Sequence, residues 1–439
     1  MYMEQKDIAD LIKLLRDDMK PALGVTEPGA IAFAAAKARE FVKGDVERVD
    51  VVLNSGMYKN AFTCGIPHSD AVGNAYAAAL GVVAGDATLG LEALAKVDDQ
   101  ANEAAKGLVE GGKVSVQVGE ITPDIYIRAE VATASDCCAV TIAHTHTNIV
   151  NIVVNGDVVF QKDDAGQPGQ EDVGGAPIHE YTLAELYNFI QSVPIEEISF
   201  IQQAYDMNLA LFNEGLGHER TTFLKALWDM NGGKMISGDE VTTAQLLCGG
   251  AIEARVLGLD KPAMSITGSG AHGIICTMPL YAVSQVQGIS AERLLRATAL
   301  SYLITMYIKE YSGRLSAFCG CAIAAGTGMA CALAWLKGGD LAVMERVVAN
   351  MAASITGMIC DGGNQGCTMK GVTAVDTAFR SVRFALSGVG VNPAHGVLGP
   401  TPEDTFRYMG CIASPGMVGT EQTMIDILKD KSQKGNRMS

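Results

Sequence analysis

The chain has 439 residues, 48% of them apolar and 19% charged, and its 33 basic and 49 acidic side chains give a net charge of −16. This acidic balance argues against a nucleic-acid partner, because proteins bind the phosphate backbone through clustered Lys and Arg. The high apolar content and the lack of a fixed repeat exclude disordered, collagen-like and coiled-coil chains. We therefore expect a compact globular protein.

Two helices are predicted at the start of the chain. The first has apolar side chains at intervals of three and four residues and ends at Pro21. These side chains are Ile8, Leu11, Ile12, Leu15 and Met19. The second helix begins at Thr26, a residue type that caps helices, continues through Pro28 and an alanine-rich stretch, and ends near Val42.

Strand patterns follow and then give way to helical spacing. Alternating or β-branched segments predict strands at residues 46–53, 113–119, 124–133, 137–143 and 148–154. The Asn155-Gly156 pair after the last of them indicates a type I′ hairpin. A polar, glycine-rich segment at residues 163–175 is the predicted linker, and helical spacing dominates from Thr182 to Lys429.

The predicted fold is therefore α+β, with a sheet-containing α+β domain at residues 1–165 followed by a larger all-helical domain at residues 176–432. The first two helices are expected to pack on the helical domain, since alanine-rich faces suit close packing better than a sheet surface. Gly- and Ala-rich helices are also compatible with a homodimer interface, but they do not demonstrate one.

Two uncharged segments, residues 262–291 and 315–336, are long enough to cross a membrane. Both are rich in Gly, and the first contains several polar side chains, so we interpret them as close-packed buried helices with no membrane partner. The first ten residues lack a positively charged start and an apolar signal core, which favours a cytoplasmic protein.

Eleven cysteines are present, and in a reducing compartment closely spaced cysteines indicate metal binding or catalysis more often than disulfides. Seven have apolar or small neighbours and are predicted to lie in the core: Cys64, Cys137, Cys138, Cys248, Cys276, Cys331 and Cys411. The other four, Cys319, Cys321, Cys360 and Cys367, form a C-x-C pair and a C-x6-C pair. This spacing is unlike the paired knuckles of zinc ribbons. Spacing alone leaves an iron–sulfur site and incidental core cysteines open, with zinc less favoured.

Several short motifs occur in the same order as in a known family. They are GVTEPGAIA (24–32), GIPHSDAVGNAYAAALG (65–81), HTNIV (146–150), ITGSGAHGI (266–274), GRLSAFCGCAIAAG (313–326) and GMICDGGNQGC (357–367). On these motifs the chain resembles the iron–sulfur L-serine dehydratase alpha-chain and L-cysteine desulfidase family over nearly its whole length.

The resemblance implies a [4Fe-4S] cluster held by three cysteines, with one iron left open to bind the substrate. Carried over by position, the ligands are Cys360, Cys367 and either Cys319 or Cys321. The resemblance also implies a lyase that removes the β-substituent of a small L-amino acid without pyridoxal phosphate, with L-cysteine giving pyruvate, ammonia and sulfide. An open iron acts as a Lewis acid on the leaving group, and it makes the cluster prone to loss during aerobic purification.

A small amino acid needs partners for its ammonium and carboxylate groups. Thr26 and Glu27 open a predicted helix, whose first N–H groups attract anions, and Glu27 is expected to pair with the ammonium. A plain helix-start glutamate is the alternative. Ser269 and Gly270 lie in a small-residue turn that is able to present N–H groups to the carboxylate.

Cations and histidines supply further candidates. Arg314 and Lys370 flank the cysteine segments and are expected to neutralise cluster or carboxylate charge, the alternative being solvated helix-end cations. His144 and His146 have the spacing of a metal pair on one face of a strand, but a third ligand is missing. We therefore assign His146 and Asn148 to substrate orientation.

The chain departs from the family pattern at three site positions. Val25 stands where the family has a cysteine suspected of proton transfer, His272 lies in a turn that reads GSGNQG in the family, and Asn364 replaces a lysine. Our hypothesis is that His272 takes over the acid–base work, because imidazole titrates near neutrality. The alternative is a core histidine.

These observations leave several functions open. The first is a lyase acting on L-cysteine, with L-serine dehydration as the alternative reaction. The second is a cluster- or amino-acid-binding protein that has lost catalysis with Val25. The third is a structural zinc protein.

Overall fold

The structure is a computed structural model that describes residues 4–162, 176–313 and 315–433. It confirms the predicted α+β fold, since a sheet-containing N-terminal region precedes a larger helical region. The predicted linker at residues 163–175 and the candidate Arg314 lie outside the described residues.

The described residues contain eight strands in two sheets. The strands are β1 (Lys20–Leu23), β2 (Val46–Leu53), β3 (Val114–Val118), β4 (Tyr126–Thr133), β5 (Cys137–Ala143), β6 (Ile149–Val154), β7 (Asp157–Gln161) and β8 (Pro262–Ser265). The larger sheet has the order β3-β2-β4-β5-β6-β7, in which β2 and β3 run parallel and the other neighbours run antiparallel.

The strands predicted from the sequence correspond to β2–β6, and β2 and β5 have the predicted bounds. Val49, Val51 and Leu53 of β2 alternate toward the core and are buried, as the period of two requires. The predicted hairpin joins β6 to β7, with Asn155 and Gly156 at φ values of 53° and 93°. Positive φ at both positions is what a type I′ turn needs.

Helices make up most of the remaining structure. Those of the described residues are α1 (Gln5–Asp18), α2 (Thr26–Arg39), α3 (Ser55–Ala61), α4 (Asn74–Ala84), α5 (Asp99–Glu110), α6 (Leu183–Ser192), α7 (Ile195–Ile198), α8 (Gln202–Gly217), α9 (Phe223–Met230), α10 (Glu240–Val256), α11 (Gly270–Gln287), α12 (Ala291–Ser312), α13 (Gly326–Leu336), α14 (Leu341–Ile355), α15 (Gly366–Leu386), α16 (Pro402–Cys411) and α17 (Val418–Gln433). Among them, no helix combines the length and the apolar character needed to cross a membrane. The two long uncharged segments instead form β8, α11, α13 and their neighbouring turns.

The first two helices take different places. α1 packs against α12 of the helical region, whereas α2 lies on β4 and β5 of the sheet and against α4. The alanine-rich pattern predicts both helices on the helical region. The small residues of α2 instead allow close contact with α4, because a Cβ added to Gly81 would lie 2.4 Å from the Ala32 carbonyl oxygen.

A short two-stranded sheet joins the two regions. Lys20 of β1 pairs with Ser265 of β8, and Leu23 pairs with Pro262, in antiparallel orientation. This sheet is not predicted from the sequence, because strands of four residues are too short to show a hydrophobic period. The pairing brings the start of α2 next to the loop between β8 and α11, which are the two segments that were predicted to bind substrate.

Candidate active site

The two cysteine segments lie side by side. They form an antiparallel bridge in which the Cys319 N–H donates to the Met358 carbonyl at 3.1 Å. The Cys360 N–H donates to the Ala317 carbonyl at 2.6 Å. The C-x-C and C-x6-C pairs, which are separate in sequence, are therefore neighbours in the fold.

Cys321 and Cys367 lie at the starts of helices. Cys321 begins a π-helical turn that leads into α13, and Cys367 is the second residue of α15. The start of a helix stabilises negative charge, which partly offsets the cost of burying a thiolate at these two positions. The turn before α15 requires glycine at Gly362, where φ is 110° and a Cβ would lie 2.4 Å from the Lys59 carbonyl oxygen.

The four sulfurs affect one another electrostatically. A hydrogen bond with Cys321 lowers the pKa of Cys319 to about 6, although burial opposes this. The same hydrogen bond and burial raise the pKa of Cys321 well above its ordinary value. Burial and repulsion from the other thiols raise the pKa of Cys360, and they raise that of Cys367 to about 12. A positively charged centre bound among the sulfurs would relieve this repulsion and favour the thiolates.

Two lysines lie close to the sulfurs. Lys370 forms an ion pair with Asp361. Burial opposes its charge, but Asp361 and the neighbouring cysteines outweigh burial and raise the pKa of Lys370. Burial lowers the pKa of Lys309, and Cys321 partly compensates. Both ammonium groups are placed to offset the negative charge of cysteine thiolates.

The side chains near the cysteines were compared with the ligands that a single metal ion and an iron–sulfur cluster need. Within the part of the chain that the structure describes, no three His, Cys, Asp or Glu side chains converge on a point that would hold one metal ion. A [4Fe-4S] cluster needs no such convergence, because each cysteine binds a different iron atom. Four thiols on two bridged segments, with lysines beside them, are therefore compatible with a [4Fe-4S] cluster.

A cavity of about 70 Å³ borders the cysteines. Its walls include six of the residues that were predicted from the sequence to form the site: Glu27, His146, Ser269, His272, Cys321 and Cys360. The fold therefore brings thiols, a carboxylate and imidazoles to one small enclosed space.

The loop before α11 forms one wall of the cavity. Thr267 and Gly268 have φ values of 50° and 76°, and the first is unusual for a residue with a side chain. The Thr267 N–H donates to Asp18 Oδ2 at 2.5 Å, and the Thr26 hydroxyl donates to the Gly268 carbonyl at 3.2 Å. These contacts from α1 and α2 hold the loop so that Ser269 and the start of α11 face the cavity.

Glu27 lies on another wall, buried in the first turn of α2. The Asn60 side-chain amide donates to Glu27 Oε1 at 2.9 Å. The Cys360 thiol in turn donates to Asn60 Oδ1 at 3.8 Å. Asn60, which no sequence motif indicates, therefore connects the Glu27 carboxylate to Cys360.

His272 is held as a neutral imidazole. The Thr267 hydroxyl donates to the Ile266 carbonyl at 2.8 Å and lies 2.6 Å from His272 Nδ1. With the hydroxyl donating to the Ile266 carbonyl, Nδ1 is assigned as the protonated nitrogen and Nε2 as the acceptor. Burial, followed by the charges of Lys309 and Arg255, lowers the pKa of His272 well below 6.5.

Two of the predicted residues have other contacts. The Asn148 side chain donates to the Ala143 carbonyl at 3.0 Å and accepts from Lys162 Nζ at 2.7 Å, and it is not part of the cavity wall. His144 and His146 follow β5 instead of lying on it, and His144 is exposed whereas His146 is buried. The two histidines therefore do not share a strand face.

The thiol of Cys64 lies near Val25, the position where the family pattern has a cysteine. Val25 is buried immediately before α2. A Cβ added to Gly363 would lie 3.1 Å from Val25 Cγ1 and 3.5 Å from Cys64 Cβ, so both side chains border the same spot. Burial and the charge of Glu27 raise the pKa of Cys64, which keeps this thiol protonated. The apolar neighbours of Cys64 predict a core residue, and nothing local in the sequence indicates that it lies beside Val25.

Comparison with known proteins identifies the family. A profile of the serine dehydratase alpha chain matches residues 88–426. A UPF0597 protein of Clostridium botulinum is 38% identical over 430 residues, which cover 96% of this chain and 99% of that protein. A UPF0597 protein of Caldanaerobacter subterraneus subsp. tengcongensis is 33% identical over 430 residues, which cover 97% of this chain and 100% of that protein. The profile covers most of the chain, which therefore belongs to the serine dehydratase alpha chain family.

Proposed function

We propose that the chain is an iron–sulfur-dependent lyase that removes the β-substituent of a small L-amino acid, with L-cysteine as the substrate. L-cysteine and water give pyruvate, ammonia and hydrogen sulfide. The observation that carries this proposal is the meeting of the cysteine segments with a small cavity lined by Glu27 and His272. Membership of the serine dehydratase family supports a lyase, and L-cysteine comes from the resemblance of the motifs to cysteine desulfidases.

The residues that would hold the cluster are Cys360, Cys367 and either Cys319 or Cys321. A bound [4Fe-4S] cluster with one open iron supplies a Lewis acid for the β-thiol leaving group. Lys309 and Lys370 balance the negative charge of the ligating thiolates. The contribution of the chain itself is to orient the amino acid and to move its protons.

We assign a role to each end of the amino acid. Glu27, oriented by Asn60, binds the ammonium group. The start of α11 at Gly270 attracts the carboxylate, because the first N–H groups of a helix have no partners within the helix. His272 Nε2 accepts the α-proton, since its imidazole is neutral and Thr267 fixes its orientation. Loss of the β-substituent leaves an aminoacrylate, which hydrolyses to pyruvate and ammonia.

Two alternatives follow from specific features. L-serine is the alternative substrate, because a β-hydroxyl leaves in the same kind of elimination. A protein that binds a cluster or an amino acid without turnover is the second alternative. Val25 favours it, since valine at this position is unable to transfer a proton.

Anaerobic reconstitution with iron and sulfide tests the proposal. We expect about four irons per chain, and release of pyruvate and sulfide from L-cysteine. The Cys360→Ser variant should lose iron, whereas Cys331→Ser should keep it, because Cys331 is buried in α13 away from the bridged segments. L-serine is assayed in parallel under the same conditions.

Other outcomes select between the alternatives. A spectral change on adding L-cysteine without product would indicate a binding protein. Pyruvate from L-serine alone would identify a dehydratase. A colourless protein that holds about one zinc ion per chain after the same anaerobic treatment would refute the cluster.

A further inference from the structure

Arg255 is a buried cation without a protein counterion. It lies in the last turn of α10 and is 5% exposed. Its Nε atom has no hydrogen-bond partner, and the guanidinium takes part in no ion pair among the described residues. Buried charges are normally paired, because removing them from water is costly. The absence of a partner therefore points to an anion that the protein chain itself does not supply.

Glu253, the acidic residue nearest to Arg255 on the same helix, already has other hydrogen-bond partners. Glu253 is fully buried, and its carboxylate accepts hydrogen bonds from the Thr222, Phe223 and Leu224 N–H groups at 2.9, 3.0 and 2.7 Å. These bonds satisfy the start of α9. Glu253 is thus a structural cap and does not neutralise Arg255.

The guanidinium lies against the start of α11. A Cβ added to Gly270 would be 2.6 Å from Arg255 Nε and 3.1 Å from its Cδ. Ser269 and His272, on either side of Gly270 in sequence, line the cavity beside the cysteines. The charge of Arg255 also contributes to the lowered pKa of His272, after burial and Lys309. A positive charge and the first N–H groups of a helix therefore lie side by side next to the part of the wall formed by Ser269 and His272, although neither Arg255 nor Gly270 is itself part of that wall.

We propose that Arg255 and the start of α11 together bind the α-carboxylate of the substrate. Glu27 lies on a different element, α2, and in the proposed function it binds the ammonium group. The two charged side chains are not paired with each other in the structure, so each is left to meet the oppositely charged end of a zwitterionic amino acid. The identity of this ligand rests on the proposed function, whereas anion binding at Arg255 does not.

Binding of L-alanine to the reconstituted protein tests the proposal without turnover. L-alanine has both charged groups and no β-leaving group, and L-alaninol lacks the carboxylate. We expect Arg255→Gln to weaken L-alanine binding by about 10- to 100-fold, the usual effect of losing charge-assisted hydrogen bonds. L-alaninol binding should be unchanged, and Arg255→Lys should show a smaller loss than Arg255→Gln for L-alanine.

A matched control is Arg220→Gln. Arg220 is partly buried near the end of α10, and it already has an ion pair with Asp70 and a hydrogen bond to the Leu257 carbonyl. Its replacement should leave L-alanine affinity unchanged. Circular dichroism and thermal melting of each variant show whether the fold is intact, and Arg255→Lys keeps the test open if Arg255→Gln does not fold.

The outcomes separate this inference from the proposed function. Equal L-alanine affinity in the parent and Arg255→Gln would overturn the inference, as would a parent that binds no L-alanine. If the parent releases pyruvate and Arg255→Gln has the same KM for L-cysteine, the inference fails and the lyase proposal stands. If L-alanine binds through Arg255 but no substrate is turned over, the lyase proposal fails and the carboxylate site stands.

Discussion

Lys59 and Glu421 form a buried ion pair that joins α3 to the last helix of the described chain. Lys59 Nζ lies 2.7 Å from Glu421 Oε2, and the two side chains are 1% and 6% exposed. Lys59 Nζ also donates to the Ser316 carbonyl at 3.0 Å, just before the first cysteine pair. The pair therefore connects the N-terminal region, α17 and a cysteine segment at one point.

Removing one partner of such a pair should be strongly destabilising. A buried charge left without its counterion costs about 3–5 kcal/mol. Lys59→Met should lie at the upper end of this range, because Glu421 Oε1 has no other hydrogen-bond partner among the described residues. Glu421→Gln should cost less, since Lys59 keeps the Ser316 carbonyl. The double variant Lys59→Met/Glu421→Leu should recover most of the loss, because no buried charge remains.

Urea unfolding of the reduced, cluster-free protein, followed by circular dichroism, measures these differences. The exposed pair Lys37–Glu40, whose side chains are 29% and 43% exposed, is the matched control. Lys37→Met should change the free energy of unfolding by about 0.5 kcal/mol or less. Losses below about 1 kcal/mol for both Lys59→Met and Glu421→Gln, as for an exposed pair, would refute the reasoning from burial.

Two further predictions concern the cavity. Gly320→Ala places a Cβ 2.8 Å from His272 Nε2 and 3.0 Å from Lys309 Cδ. It should therefore destabilise the protein by about 1–3 kcal/mol in urea and lower kcat; unchanged stability and turnover would contradict the packing. His272 has a pKa far below 6.5, so below this pH the unfolded chain binds a proton that the folded protein does not. Stability should fall with pH from about 6.5 to the folded pKa by up to about 1.4 kcal/mol per pH unit, and the same slope in His272→Gln would contradict the assignment.

Local sequence patterns were sufficient where a short segment carries its own signal. The bounds of β2 follow from the alternation of buried Val49, Val51 and Leu53 with more exposed residues. The β6–β7 hairpin follows from Asn155 and Gly156, because these two residue types tolerate the positive φ that the turn requires. The two cysteine segments were recognisable for a similar reason, because the cysteines and glycines of each segment lie within a few residues of one another.

The features that the sequence did not reveal depend on contacts between distant segments. β1 and β8 contain four residues each and become strands only by pairing with each other. Asn60 and Arg255 belong to none of the sequence motifs, and the roles proposed for them follow from neighbours in α2 and α11. A polar residue gains a binding role from what the fold places opposite it, and residue type and spacing do not encode that information.

The structure also gives a physical reason for one departure from the family pattern. Asn364 stands where the family has a lysine, and its side-chain oxygen accepts the Gly366 N–H at 2.7 Å. This bond satisfies an N–H group at the start of α15, which a lysine is unable to do because it has no acceptor. The positive charge near the sulfurs is supplied instead by Lys370, in the first turns of the same helix and paired with Asp361. Asn364 thus gives up a charge but orders the helix start that carries Cys367, so this substitution is compatible with a retained cluster site and is no argument for a degenerate one.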